Sequence, residues 1–131
     1  MKYYVVGFIF DFNLKKVLLI NKLKQAGKLN GVGGKIEDGE HKHTAMVREF
    51  QEETGMDVPE SLWRQYCTTE ARDGTVYFFT ATVNFNSTIG LCQPEAEWVD
   101  CVSLPENVID NLRWLIPMAL AEVPVSARVE E

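Results

Sequence analysis

Residues 34–56 read GKIEDGEHKHTAMVREFQEETGM. A glycine-rich entry passes into a short acidic turn, Glu37-Asp38-Gly39-Glu40, and then into a segment with helical spacing. An α-helix advances about 100° per residue. Glu49, Glu52 and Glu53 stand at i, i+3 and i+4, so their carboxylates point the same way. Arg48 lies four residues before Glu52 and reaches it as an ion pair. Met46, Phe50 and Thr54 form a second stripe, roughly a quarter turn away. The spacing predicts a helix from about His41 to Thr54, with Gly55 as its C-terminal cap. One flank enters a core while the other presents a dense anionic cluster.

Three crowded carboxylates raise one another's pKa and destabilise their helix unless a counter-charge is near. A hard divalent cation with oxygen ligands supplies one, and Mg²⁺ suits a few carboxylates plus substrate phosphates. Taken alone, three glutamates read rather as a solvated acidic face, and the surrounding spacing decides otherwise. His41 and His43, two apart near the helix start, face different ways on a helix and are expected at the helix end or in solvent rather than on a metal.

The wider spacing is G-x5-E-x7-R-E-U-x-E-E-x-G-U, with U bulky and apolar. Gly34, Glu40, Arg48, Glu49, Phe50, Glu52, Glu53, Gly55 and Met56 fill its fixed positions. This resembles the signature of the Nudix (MutT-like) hydrolases. The resemblance implies an α/β/α sandwich with a mixed β-sheet and a loop-helix-loop catalytic motif. It also implies metal-dependent hydrolysis of a nucleoside diphosphate linked to another group. On that resemblance Glu49, Glu52 and Glu53, the Gly33 carbonyl and Glu95 hold Mg²⁺, with Mn²⁺ as a substitute. A water then attacks a bridging phosphorus, and Glu49, Glu52 or Glu95 takes its proton. Arg48 orients Glu52, and Lys35 meets a phosphate. Glu95 is placed by its position just before Trp98-Val99, with Glu97 in reserve; its plainer reading is a surface glutamate.

A chain of 131 residues is expected to form one domain, 1–131, with a single sizeable core. The net charge of -6 argues against a nucleic-acid polymer as partner, since that needs a basic surface. A small nucleotide remains compatible where metal supplies the positive charge. No apolar run approaches the roughly 18 residues of a membrane span. The opening MKYYVVGFIFDF is interrupted by Asp11 and lacks a small-residue cleavage site, so it reads as mature protein. Cys67, Cys92 and Cys101 are odd in number and lack metal spacing, which points to reduced thiols and the cytoplasm. A monomer or homodimer is expected.

In chain order, Tyr3 to Phe12 reads as a strand, Asn13-Leu14-Lys15 as a turn, and Lys16 to Asn21 as the hairpin partner. The apolar run Val17 to Ile20 suits a strand buried on both faces. Lys22 to Leu29 reads as polar and flexible. In Asn30-Gly31-Val32-Gly33-Gly34-Lys35, the glycines permit close backbone approach or positive φ, as a tight turn or part of a site. Ser61 or Leu62 to Ala71 and Thr75 to Phe85 read as strands around an Arg72-Asp73-Gly74 turn. Asn84 to Pro94 reads as a loop, and Glu95 to Val99 introduces a short strand. A last helix is placed from Glu106 or Asn107 to Ala121, with Val108, Leu112, Leu115, Ile116 and Ala119 buried and Pro117 kinking or delaying it. Residues 122–131 read as a loosely held tail.

The segment from Asn30 to Lys35 resembles that of nucleoside-triphosphate pyrophosphohydrolases acting on oxidised purine nucleotides. By that resemblance Asn30 touches the base, and Asp110, Asn111 and Trp114 fall where those enzymes carry an acidic pair before a tryptophan. Only one of the two acids is kept here. Asp and Asn pair with purine edges, and a tryptophan stacks on a base or fills a core. The expected reaction converts a nucleoside triphosphate to a monophosphate and pyrophosphate. Its alternatives are an ADP-ribose, nucleotide-sugar or dinucleotide pyrophosphatase, and a nucleotide-binding module without catalysis.

Overall fold

The computed structural model describes residues 1–11, 15–21, 27–83 and 96–121, and the backbone of 125–128. The first strand, β1 (Lys2–Asp11), is buried on both faces. Side chains alternate along a strand, so Phe8 and Phe10 enter one core while Val5 and Ile9 enter another. The sheet continues through β2 (Lys16–Asn21), β3 (Leu29–Asn30), β4 (Val32–Lys35), β5 (Arg64–Ala71), β6 (Gly74–Val83), β7 (Ala96–Asp100) and β8 (Val125–Arg128). Its order is β3-β2-β1-β6-β5-β8, with β4 also on β1 and β7 also on β2. β1 runs parallel to β6 over its whole length and antiparallel to β2 and β4. The sheet is therefore mixed.

Helix α1 (Lys42–Thr54) covers one face. Its Ala45, Met46 and Phe50 share a core with Val5, Ile9 and Phe79, and Phe50 meets Trp63 edge-on at 5.2 Å. Helix α2 (Leu112–Ala121) covers the other face. Its Leu112, Leu115 and Ile116 pack with Phe8, Phe10 and Phe78, and Tyr66 Oη donates to the Leu115 carbonyl at 2.9 Å. This is an α/β/α sandwich, as the sequence led us to expect.

Several local expectations are corrected. The glycine-rich segment is not a positive-φ turn: residues 32–35 are strand β4, with none of Gly31, Gly33 and Gly34 left-handed. Gly74 is the first residue of β6 opposite Ala71, so the reversal is Arg72-Asp73 alone. Glu60–Leu62 is a 3-10 turn rather than the start of β5. The last helix begins at Leu112, because the preceding segment is claimed by β3. Leu29 N–H donates to the Asn107 carbonyl at 2.7 Å, and Ile109 N–H to the Leu29 carbonyl at 2.9 Å. Val108 is buried by bridging to Leu29, not by a helical stripe. The tail is not wholly loose: residues 125–128 pair parallel with β5, Cys67 opposite Val125, along an edge that would otherwise lack partners. Residues 12–14, 22–26, 84–95, 122–124 and 129–131, with Glu95, Cys92 and the rest of the expected tail among them, lie outside the described residues.

Candidate active site

Helix α1 is fixed at both ends. Gly55 takes φ 77°, a left-handed cap whose N–H returns to the Gln51 carbonyl at 2.8 Å. The buried Thr54 hydroxyl donates to the Phe50 carbonyl at 2.7 Å and accepts from Met56 N–H at 3.1 Å. At the other end His41 caps the helix, its Nδ1 accepting from His43 N–H at 3.2 Å. The two imidazoles stack at 5.3 Å, and His43 meets Phe79 edge-on. They do not face apart, because His41 stands outside the helix, where helical spacing no longer applies.

Arg48 organises the acidic flank. Its guanidinium forks onto Glu40, Nε to Oε2 at 2.7 Å and Nη2 to Oε1 at 2.9 Å. Nη1 reaches both Glu49 at 3.0 Å and Glu52 at 3.3 Å, and Nη2 donates to the Lys35 carbonyl at 3.1 Å. The expected Arg48–Glu52 pair exists, but the tighter partner is Glu40, eight residues back. Charge-assisted forks of this kind are the strong ones. The signal was available, since the same motif spacing places both residues. Through Arg48 the helix, the acidic turn and β4 are tied at one point.

Glu49 is the inner carboxylate, its side chain 12% exposed against 55% for Glu52. It lies on the backbone of β4: a Cβ at Gly34 would fall 2.5 Å from its carboxyl carbon. A Cβ at Gly33 would run into the Val5 carbonyl. These glycines therefore serve close approach to the protein's own groups. Burial pushes the Glu49 pKa up, Arg48 pulls it down, and the Glu52 and Glu53 charges push it up again. The Arg48 hydrogen bond holds Glu40 below the usual carboxylate range, and Glu40 drives the Arg48 pKa higher still.

Among the described residues no three His, Cys, Asp or Glu side chains are already drawn together as an ion would hold them. Arg48 pairs with both Glu49 and Glu52. The donor set still suits a divalent cation. Glu49 and Glu52 share one guanidinium nitrogen, Glu53 presses electrostatically on Glu49, and all three offer hard oxygens.

A cavity of about 190 Å³ opens on the α2 face of the same strand, lined by Tyr4, Val6, Asn30, Gly33, Gly34 and Val76 among others. Asp110, Asn111 and Trp114 are not among its described lining residues. Asn111 instead starts α2, its carbonyl accepting from Leu115 N–H at 3.0 Å, while Trp114 is 37% exposed and so is not a core aromatic. A larger hollow of about 510 Å³ lies by the start of α1, between Tyr3, Tyr77 and the acidic turn. Cys67 and Cys101 are buried thiols, and burial raises the pKa of each.

The NUDIX domain model matches residues 2–127. The chain belongs to the Nudix family, and its class is that of the Nudix hydrolases, which use divalent metal ions. Solved structures agree in fold. A MutT protein from Bacillus halodurans is 19% identical with a TM-score of 0.78, the match covering 99% of this chain and 90% of that one. A Nudix-family hydrolase from Clostridium perfringens is 21% identical with a TM-score of 0.66, covering 92% and 94%. The Nudix domain of Shewanella oneidensis NrtR, solved with ADP ribose, is 20% identical with a TM-score of 0.71, covering 91% and 86%. No curated protein matches the chain by sequence. No helix among the described residues is long and apolar enough to cross a membrane.

Proposed function

We propose that this chain is a Mg²⁺-dependent nucleoside-triphosphate pyrophosphohydrolase of the cytoplasm, releasing a nucleoside monophosphate and pyrophosphate, with oxidised purine nucleotides among its substrates. The observation that carries the reading is the inner Glu49 carboxylate laid on Gly34 and joined to Glu52 through Arg48. Glu49, Glu52, Glu53 and the Gly33 carbonyl are the residues that would hold the ion, with Glu95 expected to join them. When bound, the ion supplies positive charge to phosphate oxygens and makes water a stronger nucleophile.

The chain's own groups do the rest. Lys35, at the end of β4, offers a point charge for phosphate. Water adds to a phosphorus of the α,β-anhydride, the bridging P–O bond breaks, and pyrophosphate departs with the electron pair. The water's proton goes to Glu49, Glu52 or Glu95. Arg48 holds Glu49 and Glu52 in orientation.

Hydrolysis with Mg²⁺ should be assayed by product, as pyrophosphate from normal and oxidised nucleoside triphosphates and as released mononucleotide from ADP-ribose and diadenosine polyphosphates. Glu52→Gln and Glu53→Gln are each expected to cut turnover on the order of 10²–10⁴-fold. Unchanged turnover in both variants would remove the proposal. ADP-ribose hydrolysis is the second reading, in keeping with the ADP ribose bound to the NrtR domain, and the same panel separates the two.

A further inference from the structure

The hollow of about 510 Å³ by the start of α1 has no part in the chemistry above. Its size falls among the roughly 300–1,000 Å³ pockets that take small molecules. Strand register makes its floor. Tyr77 on β6 stands opposite Val5 on β1, a member of the core under α1, and Tyr3 lies two residues before Val5. Residues two apart on a strand share a face, so the two tyrosines are diagonal neighbours on the α1 side. Their rings are parallel within 8°, with centres 6.4 Å apart. Together they form one aromatic shelf, and Tyr3 is 43% exposed.

The acidic turn forms a wall. It is braced from within: Glu37 N–H donates to Glu40 Oε1 at 3.1 Å, and Glu40 N–H to the Glu37 carbonyl at 3.0 Å. The Glu40 carboxylate is engaged by the Arg48 fork. Glu37 touches the same guanidinium only at 3.6 Å, with its side chain 71% exposed, and Asp38 is exposed. These two carboxylates are the ones left to face a ligand.

One cation already uses the shelf. Lys42 Nζ stands 4.6 Å from the centre of the Tyr77 ring. An aromatic face is negative and attracts cations within about 6 Å. The flexible lysine stem can swing away, whereas a guanidinium is weakly hydrated and lies flat on a ring. An anionic ligand would be repelled by Glu37 and Asp38, and a neutral ring would leave them unanswered.

We propose that this hollow is a second binding site, for a small organic cation of the guanidinium class. The flat cation lies on the Tyr3–Tyr77 shelf in place of the Lys42 ammonium, and Glu37 and Asp38 accept its N–H groups. The site stands apart from the hydrolytic reading, in which neither tyrosine nor Lys42 has a role.

The test titrates the full chain, without Mg²⁺ and at constant ionic strength, with L-argininamide and in parallel with L-citrullinamide. The second probe has a similar shape but a neutral urea in place of the guanidinium. Backbone and tyrosine-ring NMR signals report where each binds. Saturable shifts at Tyr3, residues 36–42 and Tyr77 are expected with L-argininamide alone. Tyr77→Leu should weaken binding about two- to fivefold, the usual strength of an exposed cation–π contact, and Tyr77→Phe should preserve it. Asp38→Asn should weaken it by a similar factor of about two to five. Lys42→Met keeps an unbranched stem, clears the ring and removes a like charge, so binding should tighten about two- to fivefold.

Equal shifts with L-citrullinamide overturn the assignment, as do shifts that centre on Glu49 to Glu53 or never saturate. Unchanged affinity in Tyr77→Leu or in Lys42→Met also overturns it. Should Tyr77→Leu fail to fold, Lys42→Met decides alone. Turnover is not the readout, so failure of the hydrolytic reading leaves the cation site standing, and failure here leaves hydrolysis standing.

Discussion

The two helices are held against the same sheet by different physics. α2 is mostly apolar: Leu112, Leu115, Ile116 and Ala119 are buried, and its fastening to the sheet includes the single Tyr66–Leu115 hydrogen bond. α1 has a buried stripe too, but its outer flank is gripped by a guanidinium bonded to Glu40, Glu49, Glu52 and the Lys35 carbonyl. Apolar packing is undirected and tolerates small shifts, whereas a forked ion pair fixes orientation. The helix with carboxylates to aim carries the directional grip. α2 needs only to cover its face.

Damage to the two helices should therefore separate stability from activity. Phe50→Ala on α1 and Leu115→Ala on α2 each empty a fully buried site and should cost about 2–5 kcal/mol in chemical denaturation. If the contrast holds, Arg48→Ala lowers kcat severely, beyond what its cost in stability explains, since the side chains it aims lose their shared partner. A kcat near wild type in Arg48→Ala would erase the distinction. Tyr66→Phe should cost about 0.5–1.5 kcal/mol and leave kinetics alone, as its hydroxyl serves α2 only.

The smallest expected effect lies at the cap of α1. His43 Nδ1 is buried without a hydrogen-bond partner among the described residues, and burial, then the His41 charge, hold its pKa below the ordinary 6.5. As pH falls below 6.5 the unfolded chain takes up this proton first, so stability declines through the folded value. Melting temperatures between about pH 7.5 and 5.5 should show a shallower decline in His43→Gln. An identical decline would put the acid sensitivity elsewhere.

α1 was readable almost to the residue because local signals agreed: apolar spacing, a glycine past the end and a run of acids all implied one element. The fold class followed from it. What escaped reading depended on partners far along the chain. Nothing near Glu106 says that Leu29 will bond Asn107 and Ile109 and postpone the helix. Nothing near Gly33 says that its missing side chain makes room for the Val5 carbonyl. The tail read as polar and loose because its partner edge on β5 lies over fifty residues earlier. The site divides in the same way. The carboxylates and Arg48 were visible as types in a spacing, but Glu40 as the chief partner of Arg48 needed the turn to fold back.

Arg48 also bears on how the apoprotein behaves. A metalloprotein whose ligands repel one another unravels when its ion is stripped, because binding and folding are one event. Here an arginine already stands as the resident counter-ion of the acidic flank. Dialysis against a chelator should leave the circular dichroism spectrum and melting curve intact, and adding the ion back should need no refolding. Such a protein waits in working shape for its cation.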